Sequence, residues 1–251
     1  MKSIQEIRKE FENLKPEQIA SKIVSYREDG RKGVQKLLLA EKKKLEKYSQ
    51  EVERIEALCA YEKKYAQYDL ICGIDEVGRG PLAGPVVAGA VILPKDCRIL
   101  YINDSKKLSA KKREMLYEVI KKEAVSYAFG MSTPERIDEI NILQATYEAM
   151  RKAIANLSVT PQVLLNDAVT IPQVDLPQVP IIKGDAKSIS IGAASIMAKV
   201  CRDRMMEEYD TIFPGYDFAS NKGYGSKKHM EAIREKGPCP IHRRSFLKNI
   251  L

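Results

Sequence analysis

The chain has 251 residues, 44% of them hydrophobic, and a formal net charge of +8. That length and apolar content supply a sizeable core, and the basic surplus points to a polyanionic partner such as nucleic acid. No run of about 18 apolar residues occurs, and MKSIQEIRKEFENLK at the start lacks the apolar centre of a signal peptide, so membrane spanning and export are not expected and a cytoplasmic location is. Five scattered cysteines without a C-x-x-C pair argue against a disulfide framework or a zinc ribbon, and CPIH at 239–242 is expected to be a surface turn.

Residues 1–68 are rich in Lys and Glu and poor in Gly and Pro, which predicts a helical N-terminal extension. From Leu38, the positions Leu45, Tyr48, Val52, Ile55 and Cys59 recur close to a 3.5-residue period, as in one arm of a helical hairpin. REDGRKG at 27–33 is the expected turn, a helix stop and restart rather than a phosphate loop. The extension holds sixteen bases and twelve acids. Two roles stay open for it, a sequence-independent grip on duplex DNA or a packing brace.

From residue 69 to 251 the texture changes to short apolar runs between turns. DLICGID, VVAGAVILP, VSYAFGM, QVLLND and VPIIKGD are predicted strands. A helix is predicted from Pro134 to Asn156 with Thr133 as N-cap and Ile137, Ile140, Leu143, Tyr147, Met150 and Ile154 on its core face. A second covers about 188–209, where Gly192, Ala193, Ala194 and Ser195 allow close approach to a sheet, and a short basic helix ends at Gly237.

Asp75, Asp167 and Asp185 each close an apolar strand-like run, and Glu76 follows Asp75. Neighbouring strand ends in an α/β sheet gather such residues into one crevice. Asp75 and Glu76 point to opposite faces of an ideal strand, so both serve one site only if the strand ends or bends at the glycines of VGRG. Clustered carboxylates without His or thiolate select Mg2+ or Mn2+, and two such ions suit phosphodiester hydrolysis. The alternative is that the acids separately cap helices or pair with surface Lys, since a strand-end Asp is often a turn former.

GIDEVGRGPLAGPVVAGAVIL, DSKKLS at 104–109, IIKGDAKSISIGAASIMAKVCRD and the tail from NKGYGS to HRRSF together resemble bacterial ribonuclease HII over about residues 70–247. The resemblance implies a ribonuclease H-like mixed sheet flanked by helices, with a C-terminal helical substrate-binding region. It implies a Mg2+- or Mn2+-dependent endonuclease acting on RNA/DNA hybrids and on ribonucleotide-containing duplex DNA, as in ribonucleotide excision repair. Asp75, Glu76, Asp167 and Asp185 become the metal-binding catalytic acids. Gly78, Arg79 and Gly80 become a ribonucleotide-reading motif, Tyr224 a sugar-stacking ring at the RNA-to-DNA junction, and Ser105 with Lys106 a backbone clamp. Lys107, Lys222, Lys227 and Lys228 are candidates for the surrounding basic surface. Ala168 stands where many relatives have glycine. Arg79, where the sibling ribonuclease HIII usually has threonine, and a helical extension in place of a strand-rich one argue against that sibling. A monomer is expected.

Overall fold

Ser3 opens the first helix, α1 (Ile4–Glu10), with a reciprocal cap: its hydroxyl accepts the Glu6 N–H, and the Glu6 carboxylate accepts the Ser3 N–H at 2.7 Å. Pro16 starts α2 (Pro16–Ser25), and α3 runs over Lys32–Leu58. The computed structural model describes residues 1–248 and 250, and it divides into two units, Met1–Ala57 and Leu58–Leu251. In the first unit Ile7, Phe11, Val34, Leu37 and Leu38 form a small core, with Leu14, Ile19, Ile23 and Tyr26 packed against it. The expected turn near 27–33 is present. Its Arg31 is occupied by Asp29, Nη2 to Oδ2 at 2.6 Å, as suits a helix restart. The hairpin itself is not what forms. The N-terminal arm breaks after Glu10, where Asn13 takes a φ of 61°, so three helices stand in place of two.

The second unit begins with α4 (Ala60–Lys64) and continues with five strands: β1 (Ile71–Val77), β2 (Val86–Ile92), β3 (Ser126–Ser132), β4 (Val163–Asp167) and β5 (Gln178–Ile181). Their order in the sheet is β3-β2-β1-β4-β5. The first three pair antiparallel, whereas β4 lies parallel to β1 and β5 parallel to β4. Helix α5 (Ala110–Glu123) precedes β3, α6 (Pro134–Ala155) links β3 to β4, and α7 (Ile189–Ile212) follows β5. Two short helices, α8 (Phe218–Asn221) and α9 (Lys227–Lys236), complete the unit, and Gly237 caps α9 as predicted.

Strand alternation sorts the two large helices onto opposite faces. Cys72, Ile74, Val86, Ala88, Ala90 and Ile92 pack with Ala145, Ala149, Met150 and Ala153 of α6. Ile71, Val163, Leu165 and Ile181 pack instead with Ile191 of α7. The small residues of α7 are buried as expected, but the strands share in the close approach. A Cβ on Gly73 would lie 2.1 Å from the Ser190 carbonyl carbon, and one on Gly89 would lie 2.7 Å from Ala194 O.

Three expectations need correction. The helix from 134 is broken at Asn141 (φ 68°, ψ 165°), whose Oδ1 accepts the N–H groups of Leu143 and Gln144 at 3.0 and 3.1 Å and restarts the helix. The phase shift turns Leu143 out to solvent and puts Ala145, Ala149 and Ala153 inside. The run VPIIKGD is a strand only to Ile181. Lys183 turns left-handed, and Gly184–Ala186 form a 3-10 turn. The CPIH segment is not a surface turn, because Cys239 and His242 are buried beside His229, Tyr216 and Phe218. His242 Nε2 lies 3.0 Å from His229 Nε2, and the Cys239 N–H donates to His242 Nδ1 at 3.0 Å. Among the described residues no three His, Cys, Asp or Glu side chains enclose a point where a metal could sit.

Candidate active site

Parallel pairing of β1 with β4 sets Ile74 beside Asn166, so the next residues in register are Asp75 and Asp167. Both belong to the face covered by α7, since Asp75 follows Ile71 and Gly73 by twos and Asp167 follows Val163 and Leu165. Asp185 arrives from the 3-10 turn after β5. That turn is tied to β4 by the Gly184 N–H, which donates to Asp167 Oδ1 at 2.7 Å. Glu76 lies on the opposite side of β1 by alternation, yet β1 ends at Val77 and Gly78 takes a φ of 89°, so the longer side chain reaches the same cleft. The bend expected at VGRG is therefore present.

A cleft of about 560 Å³ is lined by all four acids together with Gly78, Arg79, Gly80, Ser105, Lys106, Lys199 and Tyr224. Asp75 is buried, and burial first, then the Glu76 charge, pushes its carboxyl well above the ordinary range. Burial also raises Glu76, although the Arg79 guanidinium 3.2 Å away opposes the shift. Asp185 is raised by burial and then by the Asp104 and Asp167 charges, with Lys106 opposing. Asp104, the N-cap of the 3-10 turn Ser105–Lys107, thus brings a further carboxylate close to Asp185.

These acids make an oxygen-only donor set with too little positive charge beside it. Glu76 Oε2 is buried with no hydrogen-bond partner, an arrangement that a hard cation would relieve. Mg2+ keeps several waters and binds through one or two carboxylates, so the acids need not close around one point. The residues present therefore fit such an ion.

The remaining predicted residues lie around the cleft in different states. Arg79 and Tyr224 are exposed at its rim. Ser105 is buried, with its hydroxyl 3.0 Å from Ser195 Oγ, whereas Lys106 is exposed. Lys222 is already engaged by Glu207 at 2.6 Å, and Lys227 stands 3.9 Å from Glu231. Lys107 is exposed 3.9 Å from Asp104, and Lys228 is exposed. Sequence reading missed Lys199, which lines the cleft while donating to Asp203 at 2.7 Å, and it missed the buried Arg202 and Arg243 beneath the 78–85 loop. Their only signal was membership of the quoted runs IMAKVCRD and HRRSF.

Comparison with known proteins agrees with the sequence resemblance. The family model for ribonuclease HII matches residues 72–249, and the model for the ribonuclease HII N-terminal domain matches residues 3–66. A ribonuclease HII from Lachnoclostridium phytofermentans is 66% identical over 90% of this chain and 89% of its own. One from Clostridioides difficile is 54% identical over 100% and 99%. Among solved structures, the ribonuclease H2 of Pyrococcus horikoshii superposes with a TM-score of 0.59 at 29% identity, covering 70% of this chain and 93% of that one. The ribonuclease HII of Archaeoglobus fulgidus, solved in complex with PCNA, gives 0.60 at 30% identity, covering 70% and 94%.

Proposed function

Since the chain belongs to the ribonuclease HII family, we propose that it hydrolyses the RNA strand of RNA/DNA hybrids and incises 5′ to single ribonucleotides in duplex DNA. The observation that carries this reading is the register-matched pair Asp75 and Asp167, joined by Glu76 and Asp185 in one cleft with Arg79 and Tyr224 at its rim.

Asp75, Glu76, Asp167 and Asp185 would hold Mg2+ or Mn2+. Two such ions, when bound, supply the charge that activates a water and stabilises the departing 3′-oxygen, leaving 5′-phosphate and 3′-hydroxyl ends. The chain's own groups do the selecting. Peptide groups of Gly78, Arg79 and Gly80 approach the ribose, where the 2′-hydroxyl marks RNA. The Arg79 guanidinium engages the neighbouring phosphate. Exposed Tyr224 offers its ring to the sugar on the 3′ side, and a flat face there accepts deoxyribose while crowding a 2′-hydroxyl. Lys106 and the peptide groups around Ser105 hold the backbone further along.

The test is cleavage of a duplex carrying one ribonucleotide, with Mn2+ or Mg2+ and then with EDTA. Incision 5′ to the ribonucleotide, lost on chelation, is expected. Asp75→Asn removes a proposed ligand without removing a phosphate contact, so duplex binding should persist. Its activity should fall by more than the ~10–100-fold typical of losing an outer-shell partner. Near-normal turnover in that variant would remove the site assignment.

A further inference from the structure

Arg202 and Arg243 are fully buried, and among the described residues neither meets a carboxylate. Every hydrogen bond they make goes to a backbone carbonyl. Arg202, on α7, donates from Nε to Pro85 O at 2.9 Å, from Nη2 to Ala83 O at 3.0 Å and from Nη1 to Lys222 O at 2.8 Å. Arg243 donates from Nε and Nη2 to Gly84 O at 2.9 and 2.8 Å, from Nη2 to Gly78 O at 2.5 Å and from Nη1 to Arg79 O at 2.9 Å. Residues 78, 79, 83, 84 and 85 thus have their carbonyls held from beneath. Burial draws Arg202 down to about 10 and Arg243 down to about 9, so both stay charged at neutral pH. Removing either would orphan several buried acceptors at once.

The loop is shaped around these side chains. A Cβ on Gly78 would lie 2.2 Å from Arg202 Nε, and one on Gly84 would lie 3.2 Å from Arg202 Nη2 and 2.4 Å from Met206 Sδ. Both glycines also have positive φ, 89° and 85°. Gly78 therefore answers to the arginine beneath it. Gly80 differs, because the nearest atom to its missing Cβ is Tyr224 Cε1, 3.8 Å away across the cleft rim.

A trans peptide carries its C=O and the next N–H in opposite directions. Drawing the carbonyls of Gly78 and Arg79 inward onto Arg243 therefore turns the N–H groups of Arg79 and Gly80 away from it. Among the described residues neither N–H has a protein acceptor. Both belong to residues that line the cleft.

We propose that Arg202 and Arg243 are positioning residues that preset the 78–85 loop, with two amide donors aimed at the ribose and its phosphate before substrate arrives. This rests on the ribonucleotide-reading role given above to residues 78–80. A loop fixed in this way discriminates by misfit: a lone ribonucleotide offers one hydroxyl that must meet the donors, whereas a long RNA strand presents a hydroxyl at every register.

Arg243→Lys and Arg202→Lys keep the charge and lose the fork of donors. Each is assayed about 15 °C below its own melting temperature, on a one-ribonucleotide duplex and on an RNA/DNA hybrid of the same sequence. The ratio of kcat/KM on the first to that on the second should fall by about tenfold or more, through a smaller loss on the hybrid. A general weakening of the fold would lower both alike. Independently of any variant, 15N relaxation of the substrate-free protein should give order parameters near ~0.85 for the Arg79 and Gly80 amides, as for rigid backbone. An unchanged ratio in a folded variant, or order parameters below ~0.6, overturns the inference. Absence of cleavage by the wild type would instead remove the proposed function, and the relaxation data would still decide whether the loop is preset.

Discussion

Ala168 sits at a φ of 57°, directly after Asp167, and its N–H donates to Ile181 O at 3.0 Å. The left-handed region costs a non-glycine residue roughly 1–2 kcal/mol, a cost that glycine would not carry here. Ala168→Gly relieves that cost but loosens the unfolded chain, so a net gain of up to ~1 kcal/mol is expected. In a unit of this size that is about 2–4 °C in Tm, measurable by thermal melting, and an unchanged or lower Tm would contradict the strain argument. A second prediction concerns the buried His229–His242 pair. The Cys239 N–H occupies His242 Nδ1, so His242 Nε2 carries the proton and donates to His229 Nε2, while His229 Nδ1 donates to Tyr224 O at 2.8 Å. Burial draws His242 down to about 4 and His229 below its ordinary value, with Asp217 opposing on His229 and Arg244 reinforcing on His242. Unfolded rings titrate near ~6.5, so between that value and about 4 the unfolded chain binds more protons and stability rises with pH. The contribution is full above ~6.5 and is lost as pH falls toward 4. Denaturant titrations from pH 7 to 4.5 should show a shallower pH dependence in His242→Gln than in the wild type, and parallel curves would count against the pair. The acids were legible because each ends a strand-like apolar run. The arginines and histidines were not, since polar residues read as surface until packing shows what lies above them.

At the scale of elements, α7 depends on a residue far away in sequence. Glu62 of α4 accepts the Ser188 hydroxyl at 2.5 Å and the Ser190 N–H at 3.0 Å, supplementing the Ser188 cap at the start of the helix. A carboxylate there also suits the positive end of the helix. Glu62→Ala leaves a buried N–H without a partner, at a cost of ~1–3 kcal/mol, so Tm should fall by roughly 2–12 °C. Glu62→Gln keeps the accepting oxygen and should lose much less. Equal melting of all three proteins would show that the contact contributes nothing. The strands and the long helices were readable from period-two and helical patterns. The breaks were harder, because Asn141 and the 11–15 segment interrupt otherwise continuous helical composition through local backbone conformation. Asn141 did carry a signal, since Asn competes for backbone N–H groups and favours caps.

For the whole molecule, the boundary between units separates two ways of shortening the chain. Composition changes near residue 68, yet the larger unit begins at Leu58, and residues 58–66 belong to it. Tyr61 and Tyr65 pack on the cluster of Ile71, Val163, Leu165, Ile181 and Ile191, the same face that carries Asp75 and Asp167, and Glu62 caps α7. The first unit has its own core around Ile7, Phe11, Val34, Leu37 and Leu38. A chain starting at Leu58 therefore keeps every contact named for residues 61–65, whereas a chain starting at Gln67 loses two half-buried tyrosines and the carboxylate cap together. Each buried aromatic is worth on the order of 1.5–3 kcal/mol when fully covered, and the two half-buried rings are lost on top of the ~1–3 kcal/mol assigned to the cap. The Gln67 chain should thus melt lower than the Leu58 chain by more than Glu62→Ala lowers the full-length protein. Calorimetry on the four proteins, the two truncations, the full-length chain and its Glu62→Ala variant, decides it. If the two truncations melt together, residues 58–66 do not brace the sheet, and the stability of the face that carries Asp75 and Asp167 must come wholly from α7 and the strands.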